Sequence, residues 1–181
     1  MRYLARAALV LLPLAIIAAG ASARTHAPRE LTLLVASTTD VHGHLVGWDY
    51  YANRPDTARG LARAATIVDS LRAAAPGRVV LVDAGDMLQG TPLTYVAARR
   101  AHYTVHPVFA AMNAMHYDAA VVGNHEFNYG LPFLYASATG VHFPLLAANA
   151  YPAAGPAPFP GRTIVERDGV RIALVVGKRV V

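Results

Sequence analysis

Short apolar runs alternate along the chain with stretches whose apolar residues recur every three or four positions. Near-continuous apolar runs of about four to eight residues are typical of parallel strands that are covered on both faces. The pattern therefore predicts four such strands, in chain order 31–37, 79–82, 119–122 and 144–148.

The stretches between these runs have the spacing of amphipathic helices. They predict helices over 61–75, 92–100, 107–115 and 131–138. Pro76 and Gly77 end the first of these helices. Pro107 stands in the first turn of the third, where its missing amide hydrogen costs little.

Asp168 and Gly169 separate two short alternating runs, 163–167 and 171–176, and form the strongest hairpin signal in the chain. Strands that alternate with helices predict the α/β class with a mainly parallel sheet. The hairpin is then expected to begin a second sheet or to form an antiparallel edge of the first.

The first 23 residues have the composition of a secretory signal peptide. Arg2 and Arg6 supply its positive start, residues 7–19 its apolar centre, and residues 21–23 a small-residue cleavage site. The apolar run is short for a bilayer span, so an uncleaved membrane anchor is the weaker alternative. We expect cleavage after Ala23 and a secreted or periplasmic protein without a membrane anchor.

After the signal peptide we expect a polar linker over 24–30 and a domain over 31–181. The composition of these residues limits the kinds of partner that the domain can bind. Without the two arginines of the signal, 14 basic residues face 11 acidic ones, and no dense basic run occurs. A surface for nucleic-acid polymers needs a clustered basic face, so we expect no such partner. The chain has no cysteine, which excludes disulfides, thiolate metal sites and cysteine nucleophiles.

Polar side chains follow three of the predicted strands. Asp40 and His42 come after the first strand, Asp86 after the second, and Asn124 and His125 after the third. In α/β sheets, ligands bind at the edge where the carboxyl ends of the strands meet. Carboxylate and imidazole ligands together suit zinc, manganese or iron more than calcium. Each group alone is also compatible with a surface ion pair or an Asx-turn, but three in succession predict a metal site.

Four neighbouring residues have roles that the pattern defines less closely. His44 is either a substrate contact or a partly exposed loop histidine, and Asp83 is expected to stabilise a strand end or loop. Glu126 is expected to orient a neighbour, and Phe127 to join the core.

The three polar groups carry a resemblance to a known family. The segments 40–42, 85–86 and 123–126 match, in order and at suitable spacing, the first three motifs of the calcineurin-like metallophosphoesterases. Within that family the chain resembles the secreted nucleotidase branch, above all its 2′,3′-cyclic-nucleotide 2′-phosphodiesterases/3′-nucleotidases. Further segments that share this likeness are 49–51, 60–63, 81–93, 106–108 and 127–131.

The resemblance implies an αββα-type sandwich with two divalent metal ions, which would be zinc, manganese, magnesium, cobalt or iron. By this resemblance Asp40 and His42 would hold the first metal and Asn124 the second. Asp86 would bridge both, since one carboxylate can span two metals about 3.5–4 Å apart. A water activated by the two metals would attack the phosphorus atom of a small nucleotide.

The resemblance also implies a catalytic role for the third polar group. His125, with Asn124 beside it, would contact the substrate phosphate, and His125 would help the leaving oxygen depart. In the related 5′-nucleotidases an Asp three residues after this His forms a dyad with it, whereas this chain has Asn128. Asn128 would orient the imidazole without adding charge, which favours the cyclic-phosphodiesterase subgroup.

Later motifs of the family are not found in the sequence. The family completes its metal sites with histidines from later strands, including Gly-His-x-His, whereas no histidine follows Asn149. We therefore expect the amino-terminal part of the fold, truncated before its second half.

Two classes of function remain open. The first is part of an exported, metal-dependent nucleotide phosphoesterase for 2′,3′-cyclic nucleotides and 3′-nucleotides. A 5′-nucleotidase or UDP-sugar hydrolase of the same branch is its variant. The second is a non-catalytic secreted chain with a half-built metal site, because incomplete ligand sets bind metal weakly.

Overall fold

A computed structural model describes residues 30–100, 105–150 and 155–177. The chain divides into two units, Met1–Leu31 and Thr32–Val181, and all the elements given below lie in the second. The expected signal peptide, and the linker up to residue 29, lie outside the described residues. Within the described ranges, no helix has the length and apolar character needed to cross a membrane.

The second unit contains eight strands and four α-helices among its described residues. The strands are β1 (Leu34–Thr38), β2 (Trp48–Asp49), β3 (Arg54–Pro55), β4 (Val79–Asp83), β5 (Ala119–Val121), β6 (Leu145–Leu146), β7 (Arg162–Arg167) and β8 (Val170–Val175). The helices are α1 (Leu61–Ala74), α2 (Pro92–Arg99), α3 (Pro107–Ala114) and α4 (Leu131–Ala138). All four predicted helices are confirmed, each within one residue at its ends.

The main sheet has the strand order β1-β4-β5-β6, and all its neighbouring strands are parallel. This arrangement confirms the predicted α/β class. The β7–β8 hairpin forms a separate antiparallel sheet, which decides between the two expected positions. Its turn places Asp168 at φ 51° and Gly169 at φ 77°, the two positive angles of a type I′ hairpin turn.

The two faces of the main sheet have different neighbours. Leu81 of β4, Ala120 of β5 and Leu145 of β6 belong to a buried core to which α1, α3 and α4 also contribute. Val82 and Val121 point to the opposite face, because successive side chains of a strand alternate. There they line a cleft shared with β8. The main sheet thus lies between a layer of helices and the hairpin.

Arg167 attaches the hairpin to the main sheet. Its Nε donates a hydrogen bond of 2.8 Å to the carbonyl oxygen of Val79, and its Nη2 pairs with the carboxylate of Asp118. The other oxygen of Asp118 accepts the amide hydrogen of Leu81 at 2.8 Å. One guanidinium therefore links the end of β7 to both β4 and the start of β5.

Two expectations about strands are wrong in detail. The first predicted strand, 31–37, was expected to be covered on both faces, but β1 is an edge strand with Val35 68% exposed. Alternate β1 residues are therefore only half-buried. No strand is predicted between residues 38 and 60, but β2 and β3 lie there and pair in a short antiparallel ladder. Two residues per strand are too few for the alternation that indicates a strand.

Asp83 ends β4 and is 1% exposed. Its carboxylate accepts hydrogen bonds from Thr38 Oγ1 at 2.5 Å and from the Gly85 amide at 2.8 Å. These bonds hold the end of β1 and the loop after β4 beside Asp83, as expected for a residue that stabilises a strand end. Loss of hydration on burial raises the pKa of Asp83 to about 6, against these two hydrogen bonds.

We expect Asp83→Asn to make the free energy of unfolding less dependent on pH. Because the folded pKa exceeds the ordinary value of 3.8, the contribution of the protonated carboxyl is fully present below about pH 4. It is lost as pH rises through about 6. The stability of the variant relative to the parent should rise by up to about 3 kcal/mol from pH 4 to pH 7. Urea unfolding at several pH values measures it, and a pH-independent difference would contradict this account.

Candidate metal centre

Three loops meet at the carboxyl edge of the main sheet, and backbone hydrogen bonds join the first two. The Asp40 amide donates to the Gly85 carbonyl at 3.0 Å, and the His42 amide donates to the Asp86 carbonyl at 2.9 Å. The loop after β1 is thus fixed directly to the loop after β4. The sequence prediction that these segments share one edge is consistent with this geometry.

Three candidate ligands have left-handed backbone conformations. The φ angles are 50° at Asp40, 47° at His42 and 64° at Asp86. Non-glycine residues seldom adopt such angles, and each costs about 1–2 kcal/mol. Strain of this kind is tolerated where surrounding bonds impose it, and it is concentrated at functional sites.

Glu126 connects the second loop to the third. Its side chain is 1% exposed, and its Oε1 accepts the amide hydrogens of Met87 at 2.6 Å and Leu88 at 3.0 Å. Its Oε2 accepts those of Asp86 at 2.9 Å and Gly123 at 2.7 Å. The carboxylate thus satisfies four backbone donors at once. The expectation that Glu126 orients a neighbour understates this role. The sequence does not show which backbone amides a side chain will contact.

Two glycines allow the second and third loops to approach closely. A Cβ at Gly85 would lie 2.8 Å from the backbone nitrogen of Gly123. A Cβ at Gly123 would collide with the carboxylate of Asp86. The glycines before Asp86 and Asn124 are therefore required by packing.

His42, Asp86 and His125 come together at this edge. A nitrogen of each imidazole and an oxygen of the carboxylate lie within 4.8 Å of one another. Nδ1 of His42 lies 2.6 Å from the carbonyl oxygen of Gln89, so Nδ1 carries the hydrogen and Nε2 has a free lone pair. Oδ1 of Asp86 accepts the amide hydrogen of His125 at 2.8 Å. The backbone contact from Gln89 was not predicted.

Asp40 and Asn124 flank this cluster. Oδ1 of Asp40 lies 3.6 Å from Nε2 of His42, and the Asp40 side chain is 59% exposed. Asn124 is exposed and precedes a single 3₁₀ turn, His125–Phe127, which its side chain does not cap. Its amide is therefore available to a ligand. It lines a cleft of about 760 Å³ that extends away from the cluster.

His125, expected to contact the substrate phosphate, lies beside His42 and Asp86 at the candidate metal centre. The rings of His125 and His42 stand edge to face, with centroids 4.9 Å apart. Nδ1 of His125 lies 3.0 Å from Nδ2 of Asn128. With the amide as donor, Nδ1 is the acceptor and the ring hydrogen is on Nε2. Asn128 therefore contacts the imidazole as expected, but with its nitrogen.

Two neighbouring residues lie outside the cluster. Phe127 was expected in the core, but this prediction is wrong, because Phe127 is 39% exposed and lines the cleft beside Asn124. The 3₁₀ turn directs Glu126 inward and Phe127 outward, and this turn was not predicted from the sequence. His44 is half-buried, with its ring 6.3 Å from that of Tyr50. Burial and the nearby Arg59 lower the pKa of His44.

The donor set fits a divalent transition metal. The free lone pair of His42 Nε2 and the carboxylate of Asp86 converge, and a second carboxylate, that of Asp40, and the amide of Asn124 lie beside them. Mixed nitrogen and oxygen ligands of this kind bind zinc, manganese, iron or cobalt. The hydrogen bond from His42 to Gln89 also supplies the outer support that metal-ligating histidines require.

Comparison with known proteins agrees with this geometry. Residues 33–178 match the family model described as calcineurin-like phosphoesterase. The trifunctional nucleotide phosphoesterase protein YfkN of Bacillus subtilis is 34% identical over 166 residues, which cover 86% of this chain and 11% of that protein. A 2′,3′-cyclic-nucleotide 2′-phosphodiesterase/3′-nucleotidase of Yersinia enterocolitica is 44% identical over 119 residues, covering 65% of this chain and 18% of the other.

A solved structure shows the same fold. The crystal structure of the calcineurin-like phosphoesterase YfkN matches with a TM-score of 0.68 at 34% identity, covering 78% of this chain and 46% of that one. The chain thus spans less than a fifth of the length of the two curated relatives named above. The family match includes all three polar loops and most of the described residues. The chain therefore belongs to the calcineurin-like phosphoesterase family.

Proposed function

We propose that this chain carries metal-binding and catalytic groups of a phosphoesterase that hydrolyses 2′,3′-cyclic nucleotides and 3′-nucleotides. The observation that carries the proposal is the convergence of His42, Asp86 and His125 within 4.8 Å. The Glu126 carboxylate and backbone hydrogen bonds between the loops hold these residues at one edge of the sheet. Such preorganisation is what hydrolysis of a charged diester requires.

The substrate class rests on two observations. The names of the relatives, a nucleotide phosphoesterase and a cyclic-nucleotide phosphodiesterase/3′-nucleotidase, support nucleotides as substrates. Asn128, where the 5′-nucleotidases carry an Asp, favours the cyclic diester over 5′-nucleotides. A 5′-nucleotidase or UDP-sugar hydrolase is therefore the second candidate.

Each residue has a defined part in the proposed reaction. Asp40, His42, Asp86 and Asn124 would hold two divalent metals, with Asp86 shared between them. The bound metals would polarise the phosphoryl oxygens and activate water. His125 would give the leaving oxygen a hydrogen bond from Nε2–H and so help it depart, while Asn128 holds the ring through Nδ1.

The test separates metal binding from turnover. The 181-residue chain is titrated with Mn²⁺ in a calorimeter and then assayed with 2′,3′-cyclic AMP, 5′-AMP and bis-p-nitrophenyl phosphate. The proposal expects Mn²⁺ binding and Mn²⁺-dependent hydrolysis of the two diesters, faster than that of 5′-AMP. Preference for 5′-AMP would support the second candidate. Binding without turnover of any substrate would support a non-catalytic chain, and absence of binding would contradict the metal site.

We expect Asn128→Ala to reduce kcat on 2′,3′-cyclic AMP about tenfold, the equivalent of one hydrogen bond to a reacting group. The fold should be unaffected, because Asn128 is exposed. Steady-state kinetics measure the change, with Asn128→Gln as the control that retains an amide NH₂ donor. An equal loss in both variants would contradict a positioning role for the side chain.

We also infer export to the periplasm or the exterior, with cleavage after Ala23. The supporting pattern is the basic start, apolar centre and small-residue site of the first 23 residues. The mass of the chain recovered from a bacterial host decides it, because a mature chain would begin at Arg24.

A further inference from the structure

A further cleft lies between α2 and α4, away from the candidate metal centre. It has a volume of about 300 Å³, which is at the lower end for sites that bind small molecules. Its apolar lining includes Ala97 of α2 and Pro132, Phe133 and Ala136 of α4. None of its lining residues belongs to the metal cluster.

His106 brings a hydrogen-bond donor to this lining. The residue is the N-cap of α3 and is only 4% exposed. Its Nδ1 accepts the amide hydrogen of Val108 at 3.3 Å, so the ring hydrogen is on Nε2. Nε2 is buried and has no hydrogen-bond partner within the described part of the chain.

An unpartnered buried donor is costly, by about 1–3 kcal/mol, and most buried polar groups in proteins have a partner. The rings of Phe109 and Phe133 pack edge-on against His106, with centroids 6.0 and 5.7 Å away, and offer no acceptor. Because Nδ1 is turned to the α3 amide, Nε2 is the ring nitrogen that has no partner, and its residue lines the cleft. An acceptor is therefore the group missing from this site.

We propose that this cleft binds a small, uncharged, mainly apolar molecule that presents a carbonyl-type acceptor to Nε2–H of His106. The acceptor follows from the tautomer that Val108 imposes. The ligand should be mainly apolar because alanine, proline and phenylalanine side chains line the cleft. It should be uncharged because the lining has no acidic or basic group other than this histidine.

A bridging water is the competing occupant. The hydroxyl of Ser137, which is 7% exposed, also lines the cleft and is a second polar partner for such a water. A water needs two to four polar partners, so the two polar side chains only just suffice. A ligand gains in addition from covering the apolar lining.

Paired probes of one shape test the proposal. Acetophenone carries a carbonyl on an aromatic ring, and isopropylbenzene has nearly the same shape without it. Both are titrated into the ¹⁵N-labelled chain and followed by ¹H–¹⁵N NMR. We expect acetophenone to shift the amides of α2 and α4 and the His106 ring nitrogens, and to bind at least tenfold more tightly than isopropylbenzene. His106→Phe should abolish this difference, and His116→Phe, at an exposed histidine, should preserve it.

Several results would overturn the proposal. Equal affinity for both probes would show that His106 does not donate a hydrogen bond to the acetophenone carbonyl. If no NMR signal shifted up to the solubility limit of the probes, the cleft would bind neither of them. A crystal grown or soaked with acetophenone could instead show only a water molecule between His106 and Ser137. That result would mean that Nε2–H of His106 binds water and not a ligand. Should His106→Phe fail to fold, the two probes on the parent chain still decide, because their comparison needs no variant.

Discussion

Replacing Glu126 by glutamine should destabilise the fold by about 2–4 kcal/mol, the cost of leaving two of four buried amide donors facing an amide NH₂ group. The parent carboxylate accepts all four, from Asp86, Met87, Leu88 and Gly123. A glutamine of the same size has one acceptor oxygen and presents hydrogens to the other pair. Thermal or urea unfolding of the variant without added metal measures the loss.

The same substitution should also weaken metal binding, because the Asp86 and Gly123 amides position the Asp86 carboxylate and the third loop. We expect the Mn²⁺ dissociation constant to rise about 10- to 100-fold, the range for lost outer support at metal sites. Glu166→Gln removes an exposed carboxylate in β7 and is the matched control, with no change expected in either quantity. Unchanged stability in Glu126→Gln would show that the four bonds do not hold the loops together.

Asp86→Asn should lower Mn²⁺ affinity by about 100-fold or more and abolish measurable hydrolysis, since it removes the charge that two metals would share. The fold should persist, because the amide oxygen of asparagine can still accept the His125 amide hydrogen that Oδ1 accepts in the parent. Calorimetric titration with Mn²⁺ and a diester assay on the same samples give both results.

Asp69→Asn, at an exposed carboxylate on α1, is the matched control for charge and should change neither quantity. Mn²⁺ affinity that survives in Asp86→Asn would remove Asp86 from the metal site. Lost affinity together with a lost fold would assign Asp86 a structural role instead.

Much of the fold could be predicted because its helices and its hairpin turn are determined by residues close together in the sequence. The helices were predicted from the spacing of apolar residues and from start and stop signals such as Pro107 and Pro76. These signals influence only the helical turn in which they lie. The hairpin follows from Asp168 and Gly169, whose backbone angles the turn itself requires. Short pairings such as β2–β3 could not be predicted, because they contain too few residues to show alternation.

The candidate site was predictable to the level of residue type. Asp40, His42, Asp86 and His125 stand after strands in the sequence, and parallel strands place such residues at one edge. The interactions that arrange them are carried by backbone atoms, such as the Gln89 carbonyl on His42. A pattern of side chains does not encode backbone partners that are distant in the sequence.

By itself, the sequence determined the order of the helices and of the main-sheet strands, the polar residues that follow those strands, and the family. The tertiary structure alone decided that His125 joins His42 and Asp86, that Phe127 faces outward and that Glu126 is a buried acceptor for four amides. The physical reason is that helix and turn preferences act over a few residues. Ligand distances and hydrogen-bond partners depend instead on loops about 40 residues apart being folded against one another.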